Sequence, residues 1–369
     1  MGRHCKLALS MTGIRIFKAG PLARAIEAVV AAGGSEPREA RLVAESLVSA
    51  NLSGHDSHGV GMIPRYVDAL LEGGLKVNQH PDITFDGGAM LALDGRMGYG
   101  QVVGFEAMEI AIARAHEHGL CVMALARSHH LCRIGQWAEQ AVAAGLVSIH
   151  FVNVISRAIV APYGGADARF GTNPFTIGIP LPGEPPFILD MATSAVAQGK
   201  IRVAYNKGER VNPEWLLDDR GNPTSDPRYG VIEPFGALRT FGLHKGYGLA
   251  VACELLGGAL TGGGTWHSDD KSKRRVWNGM LSIVIDPKRL GTAQAFAAEA
   301  RAFLDSLRRS PVAPGFDKVR IAGEPEREAR ERRSREGIPV DATTWEEIVT
   351  AAGKLGLERA ALERLAEGG

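Results

Sequence analysis

Short apolar runs alternating with helix-length amphipathic stretches constrain this chain more than any other feature. Cys121–Ala126 (CVMALA) and Leu146–Asn153 (LVSIHFVN) are near-continuous apolar segments of strand length, the pattern of strands buried on both faces. FTIGIP, PFILDM and LSIVIDP (Leu281–Pro287) repeat the texture, and ITFDG with AMLALDG reads as two short strands joined as a hairpin across glycines. Between them lie a long helix from Gln101 to His118, opened by GYGQ and closed by Gly119, and a helix following SHHLCRI; another, from Ala293 to Ser306, follows the last strand. The alternation predicts an α/β fold with a layered centre.

The flanks differ. Pro21–Ala32 reads as a helix ended by Gly33–Gly34, and Ser35 as the cap of a second helix with Pro37 in its first turn. Ala40, Leu42, Val43, Leu47 and Val48 give that helix its apolar face. Pro64–Leu71 is a third helix, stopped by Gly73–Gly74. We expect residues 1–20 to be a loose extension, with Met11 an alternative start, and residues 21–80 a small helical domain. Residues 81–285 are the α/β region, with Gly199–Pro234 mostly loop, and residues 286–369 a C-terminal helical region packing back on the N-terminal domain. Within the last, EPEREARERRSREG reads as a solvated, charge-laced helix or tail, and an amphipathic helix pair follows Thr343.

Lys and Arg (42) nearly balance Asp and Glu (41), which argues against a nucleic-acid groove or a polybasic membrane face. No apolar run approaches the roughly 20 residues that span a bilayer. Cys5, Cys121, Cys132 and Cys253 include no CxxC, fitting reduced thiols and a cytoplasmic location.

Chemistry concentrates in Asn51–Tyr66, NLSGHDSHGVGMIPRY. His55 and His58 suit a metal site with His129 or His130 as further ligands, or a single acid/base imidazole whose tautomer Asp56 or a distant carboxylate fixes; both also suit plain turn and capping duty. Gly98-Tyr-Gly100-Gln-Val-Val-Gly104 imitates a dinucleotide fingerprint, but the next strand ends without an acidic residue to hold a ribose. Gly171-Thr-Asn-Pro174 and Ala192-Thr-Ser194 offer turn N–H groups and hydroxyls, and Lys245 brings a cation to a helix start where a phosphate would suit it.

GHDSHGVGMIPRY, RSHHLCRIGQWAE, RFGTNPF, ILDMATS and LHKGYGLA, in this order and spacing, resemble the type-2 malate/L-lactate dehydrogenase family from about Pro21 onward. The resemblance implies an NAD(P)-dependent oxidoreductase interconverting 2-oxo and 2-hydroxy acids. It also implies the family's own non-Rossmann NAD(P)-binding fold with an N-terminal helical domain, and a homodimer. His58 corresponds to the family's acid/base histidine, which sets the metal reading aside. Asp190 and His130 accompany it as catalytic candidates. Coenzyme contacts implied by position are Cys132, Arg133 and Ile134; Ile188, Leu189, Asp190, Met191 and Ala192; His244 and Lys245; Asn278; Gly323, Glu324, Pro325 and Glu326; and Thr172 and Asn173.

One departure stands out. By the same resemblance, many members of the family carry an arginine four residues after this histidine, where this chain has Met62. Arg65 is then the candidate cation for a substrate carboxylate, with Arg133 in reserve and Ser57 a further substrate contact. Glu324 and Glu326 would repel a ribose 2′-phosphate, favouring NAD over NADP. A cyclic imine or ureido reductase, and a metal-dependent hydrolase or lyase using His55 and His58, are the alternatives.

Overall fold

A computed structural model describes residues 13–267 and 276–368. In chain order these form β1 (Ile14–Phe17), α1 (Ala19–Ala32), α2 (Pro37–Leu52), α3 (Ile63–Leu71), β2 (Asp82–Asp86), β3 (Met90–Asp94), α4 (Gly100–His118), β4 (Leu120–His129), α5 (Gly135–Ala143) and β5 (Val147–Ile155). There follow β6 (Phe175–Ile179), β7 (Phe187–Met191), α6 (Gln198–Lys207), β8 (Leu216–Leu217), α7 (Arg228–Val231), β9 (Ala237–Leu238), α8 (His244–Cys253) and β10 (Trp277–Ile285). The chain ends with α9 (Ala293–Arg308), α10 (Glu324–Glu336), β11 (Ile338–Asp341), α11 (Ala342–Lys354) and α12 (Arg359–Glu367). Contacts divide it into two compact units, one built from the two chain ends, up to Leu71 and from Glu326, and the other from Glu72–Pro325.

In the unit of the chain ends, α1, α2, α3, α11 and α12 bury Leu22, Ile26, Leu47, Tyr66, Trp345 and Ile348. Two expectations need correction. Ile14–Phe17, expected within a loose extension, is a strand antiparallel to β11, and it seats Phe17 against Trp345 with ring centroids 4.5 Å apart. The earlier part of that extension lies outside the described residues. Ser35 does not cap α2: Glu36 holds the N-cap position, and the Ser35 hydroxyl donates to Glu39 Oε1 at 2.6 Å within the buried first turn.

The middle unit is built on a seven-stranded sheet of order β2-β3-β4-β10-β5-β6-β7. Only β3 and β4 are parallel; every other neighbouring pair is antiparallel. β2 and β3 form the expected hairpin. β10 arrives late in the chain yet lies between β4 and β5, with Ser282 opposite Met123 on one side and His150 on the other. Leu93, Met123, Leu125, Val152, Met280 and Val284 pack beneath Val103, Met108 and Trp137 of α4 and α5. Gly98, Gly100 and Gly104 serve this packing: a side-chain carbon on Gly100 would collide with the His130 carbonyl, and one on Gly104 would sit 2.7 Å from the Trp137 ring. The stretch Gly199–Pro234, expected to be mostly loop, instead holds α6, β8 and α7. Buried Ile201, Ala204 and Leu216 anchor it in a second core with Val160 and Leu238. The anchors are few among polar neighbours, which hides them from periodicity.

His150 is fully buried, Nδ1 2.8 Å from Ser282 Oγ and Nε2 3.0 Å from Ser148 Oγ. Burial pushes its pKa down to about 3. The folded chain keeps the ring neutral while the unfolded chain binds a proton below about pH 6.5. This contribution to stability is therefore complete above the unfolded value and is lost as pH falls towards the folded one, at up to about 1.4 kcal/mol per pH unit. Urea unfolding across that range is expected to give a shallower acid loss for H150Q than for the native chain; equal slopes would remove His150 as the cause.

Candidate active site

The histidine packet hangs between α2 and α3 on two short 3-10 turns, Asp56–His58 and Val60–Met62. Asn51, in the last turn of α2, spans both: its Nδ2 donates to Asp56 Oδ1 at 2.6 Å and its Oδ1 accepts from the Val60 N–H at 2.8 Å. A side chain at Gly59 would overlap the Asn51 amide, so the second turn needs glycine there. Ser57 Oγ and His58 Nδ1 lie 3.0 Å apart, with His58 half-buried. Arg65 is exposed in α3, and Met62 ends the second turn.

α10 grips this packet along one face. Arg333 donates through Nη1 and Nη2 to both oxygens of Asp56, at 2.7 and 2.9 Å, and also to the Asn51 carbonyl. Arg330 Nε donates to Ser53 Oγ at 2.8 Å, and Glu326 Oε1 lies 3.2 Å from His55 Nε2. Asp56 is thereby committed to Arg333 and Asn51 rather than to the ring of His58. The segment expected to be a solvated face is a set of contacts to the packet. Positions 326, 330 and 333 share one helical face, a spacing visible in the sequence.

In the middle unit, most segments expected to touch coenzyme gather around β7. Asp190 accepts from the Gly135 N–H at 2.9 Å and from Thr176 Oγ1 at 3.0 Å, and lies 3.7 Å from Arg133 Nη1. Arg133 is 2% exposed and pairs with Glu139 at 2.5 Å. These bonds fix the loop Leu131–Ile134, where Cys132 is held at φ 61°. Asn278 completes that loop: its Oδ1 accepts from the Leu131 N–H and its Nδ2 donates to the Asn153 carbonyl, each at 2.8 Å. Thr193 Oγ1 donates to the Thr172 and Asn173 carbonyls at 2.9 and 3.0 Å. Asn173 is wholly buried, donating to Glu254 at 2.7 Å and to the Ala250 carbonyl at 3.2 Å. The Ile188 N–H reaches the Ala322 carbonyl at 3.3 Å, bringing Gly323, Glu324 and Pro325 to the β7 edge, and Glu324 Oε2 accepts from the Ile321 N–H. The Phe241 N–H donates to the Thr193 carbonyl, leading into Leu243 at φ 57° and the exposed His244 and Lys245.

Sequence reasoning gave no role to Asn51, Thr176 and Glu139, within 14 residues of the partners they hold, or to Arg333 and Glu254, which lie 277 and 81 residues from theirs. Asp190 and Arg133 are loop-builders in this geometry. His129 is fully buried and His130 partly so. Among the described residues, no group of three or more His, Cys, Asp or Glu is placed to hold a metal ion, and no helix is long and apolar enough to cross a membrane.

A nucleotide coenzyme can be tested against this architecture. Cys132, Asn173 and Leu243 adopt left-handed backbone that side chains resist, and such strain concentrates at ligand clamps. The first N–H groups of α8, at Lys245, Gly246 and Tyr247, already bond Gly242, Phe241 and Leu243 carbonyls. The turn therefore offers an anion the side chains of His244 and Lys245. An exposed lysine at a helix start beside such a turn fits an anionic ligand such as a nucleotide better than a bare apolar one.

A family model described as malate/L-lactate dehydrogenase matches residues 17–349. The chain is 46% identical to hydroxycarboxylate dehydrogenase B of Escherichia coli K12, over 94% of this chain and 96% of that one. It is 39% identical to L-lactate dehydrogenase of Cupriavidus necator, over 85% and 90% of the two chains. The solved structure of sulfolactate dehydrogenase from Methanocaldococcus jannaschii superposes with a TM-score of 0.82 at 31% identity, covering 95% of this chain and 99% of that one.

Proposed function

The chain belongs to the malate/L-lactate dehydrogenase family, and from that premise we propose that it interconverts a 2-oxo acid and a 2-hydroxy acid with NAD as coenzyme. The observation that carries the reading is the naming of its relatives for hydroxycarboxylate, L-lactate and sulfolactate, acids with the hydroxyl beside the carboxylate. The mostly antiparallel sheet supports the family's non-Rossmann coenzyme fold, and the packet's helices support an N-terminal helical domain carrying the acid/base group.

Cys132–Ile134, Thr172, Asn173, Ile188–Ala192, His244, Lys245 and Gly323–Glu326 are the residues assigned to hold the coenzyme, with Asn278 and Asp190 shaping the loop at Cys132. When bound, the nicotinamide gives hydride to, or takes it from, the substrate's C2. His58 supplies the proton to the carbonyl oxygen in reduction and removes it in oxidation. Ser57 at Nδ1 orients the ring, which assigns the proton exchange to Nε2. His130 is assigned a contact to the substrate oxygen, and Arg65 meets the carboxylate in place of the arginine that Met62 replaces. Glu324 and Glu326 disfavour a 2′-phosphate, hence NAD. A cytoplasmic homodimer is the form we propose. The buried free thiols Cys121 and Cys253, whose pKa burial raises to about 11 and about 12, are compatible with a reducing compartment.

The test is the loss of reduced-nicotinamide absorbance with NADH or NADPH against pyruvate, oxaloacetate, 2-oxoglutarate, phenylpyruvate, hydroxyphenylpyruvate and sulfopyruvate. Turnover of at least one acid, faster with NADH, is expected. Coenzyme binding with no acid turned over would replace the 2-oxo acid by another substrate class.

A further inference from the structure

We propose that Arg333 and Asp56 are positioning residues for His58, and that α10 holds the acid/base turn in its working geometry. The inference rests on the reading of His58 as the proton-exchanging group. The Asp56–His58 turn is three residues long, so regular backbone bonding alone cannot fix it; the His58 N–H bonds back to the His55 carbonyl at 2.9 Å, within the turn itself. What immobilises the turn is a chain of side-chain bonds on both flanks of His58. Arg333 clamps Asp56 through two parallel bonds at 2.7 and 2.9 Å and also holds the Asn51 carbonyl. Asn51 then links Asp56, two residues before His58, to Val60, two residues after it. The Arg333 side chain is 12% exposed and the Asp56 side chain 49%, so the pair is shielded mainly on the arginine side.

An ordinary exposed ion pair contributes little, and the same unit supplies one for comparison. Arg359 clamps Glu346 with the same two-bond geometry, but at side-chain exposures of 54% and 33% and with no bond to a catalytic turn. If Arg333 acted only on stability, the two pairs would behave alike. A planar guanidinium cannot be replaced by an ammonium without losing one of the parallel bonds and the grip on Asn51, so the lysine variant should recover part of the function.

The experiment compares R333M, R333K, D56N, the R333M/D56N double variant and R359M with the native chain. For the 2-oxo acid turned over, kcat should fall on the order of tenfold to a hundredfold in R333M and D56N, since displacements of about 1 Å have effects of that size. The KM for NADH should stay within about twofold, R333K should lie between R333M and the native chain, and the double variant should be no worse than the worse single one. R359M should retain native kcat. In parallel, the imidazole resonance of His58, assigned by its loss in H58N, is followed in histidine-labelled protein. It should shift in R333M and D56N and not in R359M. An unchanged resonance and unchanged kcat in R333M would overturn the proposal. If no 2-oxo acid is turned over, the functional reading falls, while the resonance still decides whether Arg333 positions His58.

Discussion

Replacing His58 by asparagine is expected to lower kcat for 2-oxo acid reduction by about 10²–10⁴-fold, the usual range for removing a general acid. Asparagine preserves polarity and approximate shape, so the packet's turns remain. Asn51 still holds Asp56 and Val60, and Arg333 still clamps Asp56. What disappears is the ring nitrogen proposed to give and take the proton. Apart from Glu326, the segments proposed to hold the coenzyme lie in a different unit from His58, so the NADH dissociation constant should move by less than about threefold, against the far larger change in kcat. Stopped-flow turnover and fluorescence titration on the same preparation separate the two. Equal losses in both would mean that His58 supports binding instead of proton transfer.

How much of this was legible in the sequence depends on what kind of bond does the work. α4 could be read to its end because Gly119, at φ 84°, is a left-handed cap that glycine alone favours. α2 and the helix pair α11 and α12 were visible through apolar periodicity, and α3 through the glycines that stop it. β1 was not, because a four-residue strand with only Phe17 buried has no alternation to detect. Nor could β10 be placed: an apolar run announces a strand but not its insertion between β4 and β5. The role of α10 escaped for a related reason. Its gripping residues, Glu326, Arg330 and Arg333, are charged, and a hydrophobic reading counts charges as solvent-facing. The packet itself was conspicuous because two histidines, an aspartate, a serine and glycines rarely crowd a turn by chance. Its support was invisible because Asp56 and Arg333 are 277 residues apart. Asp190 shows the same limit. Its position was legible from ILDMATS, but its partners are a backbone N–H at Gly135 and the hydroxyl of Thr176, and neither carries a sequence signature.

Asn278 gives the largest expected effect on stability. Its amide is 3% exposed and both of its ends are used, Oδ1 by the Leu131 N–H and Nδ2 by the Asn153 carbonyl. Leucine at this position has similar bulk but neither donor nor acceptor. N278L therefore strands two backbone groups, and each buried group left unpaired costs about 1–3 kcal/mol. The expected loss is several kcal/mol, read as a lower urea midpoint at unchanged slope. The two bonds do different work. Asn153 lies in β5, where the neighbouring ladder with β10 persists, whereas Leu131 opens the loop that holds Cys132 at φ 61°. Losing the first weakens the sheet; losing the second frees the loop to leave its left-handed turn. N278L should therefore also weaken NADH binding, by more than its stability loss explains at temperatures where the protein remains folded. N278D separates the contributions, because a carboxylate still accepts from Leu131 but donates nothing to Asn153. If the loop bond governs the coenzyme site, N278D should keep near-native NADH affinity despite reduced stability. An NADH affinity as poor in N278D as in N278L would instead assign the coenzyme effect to the sheet.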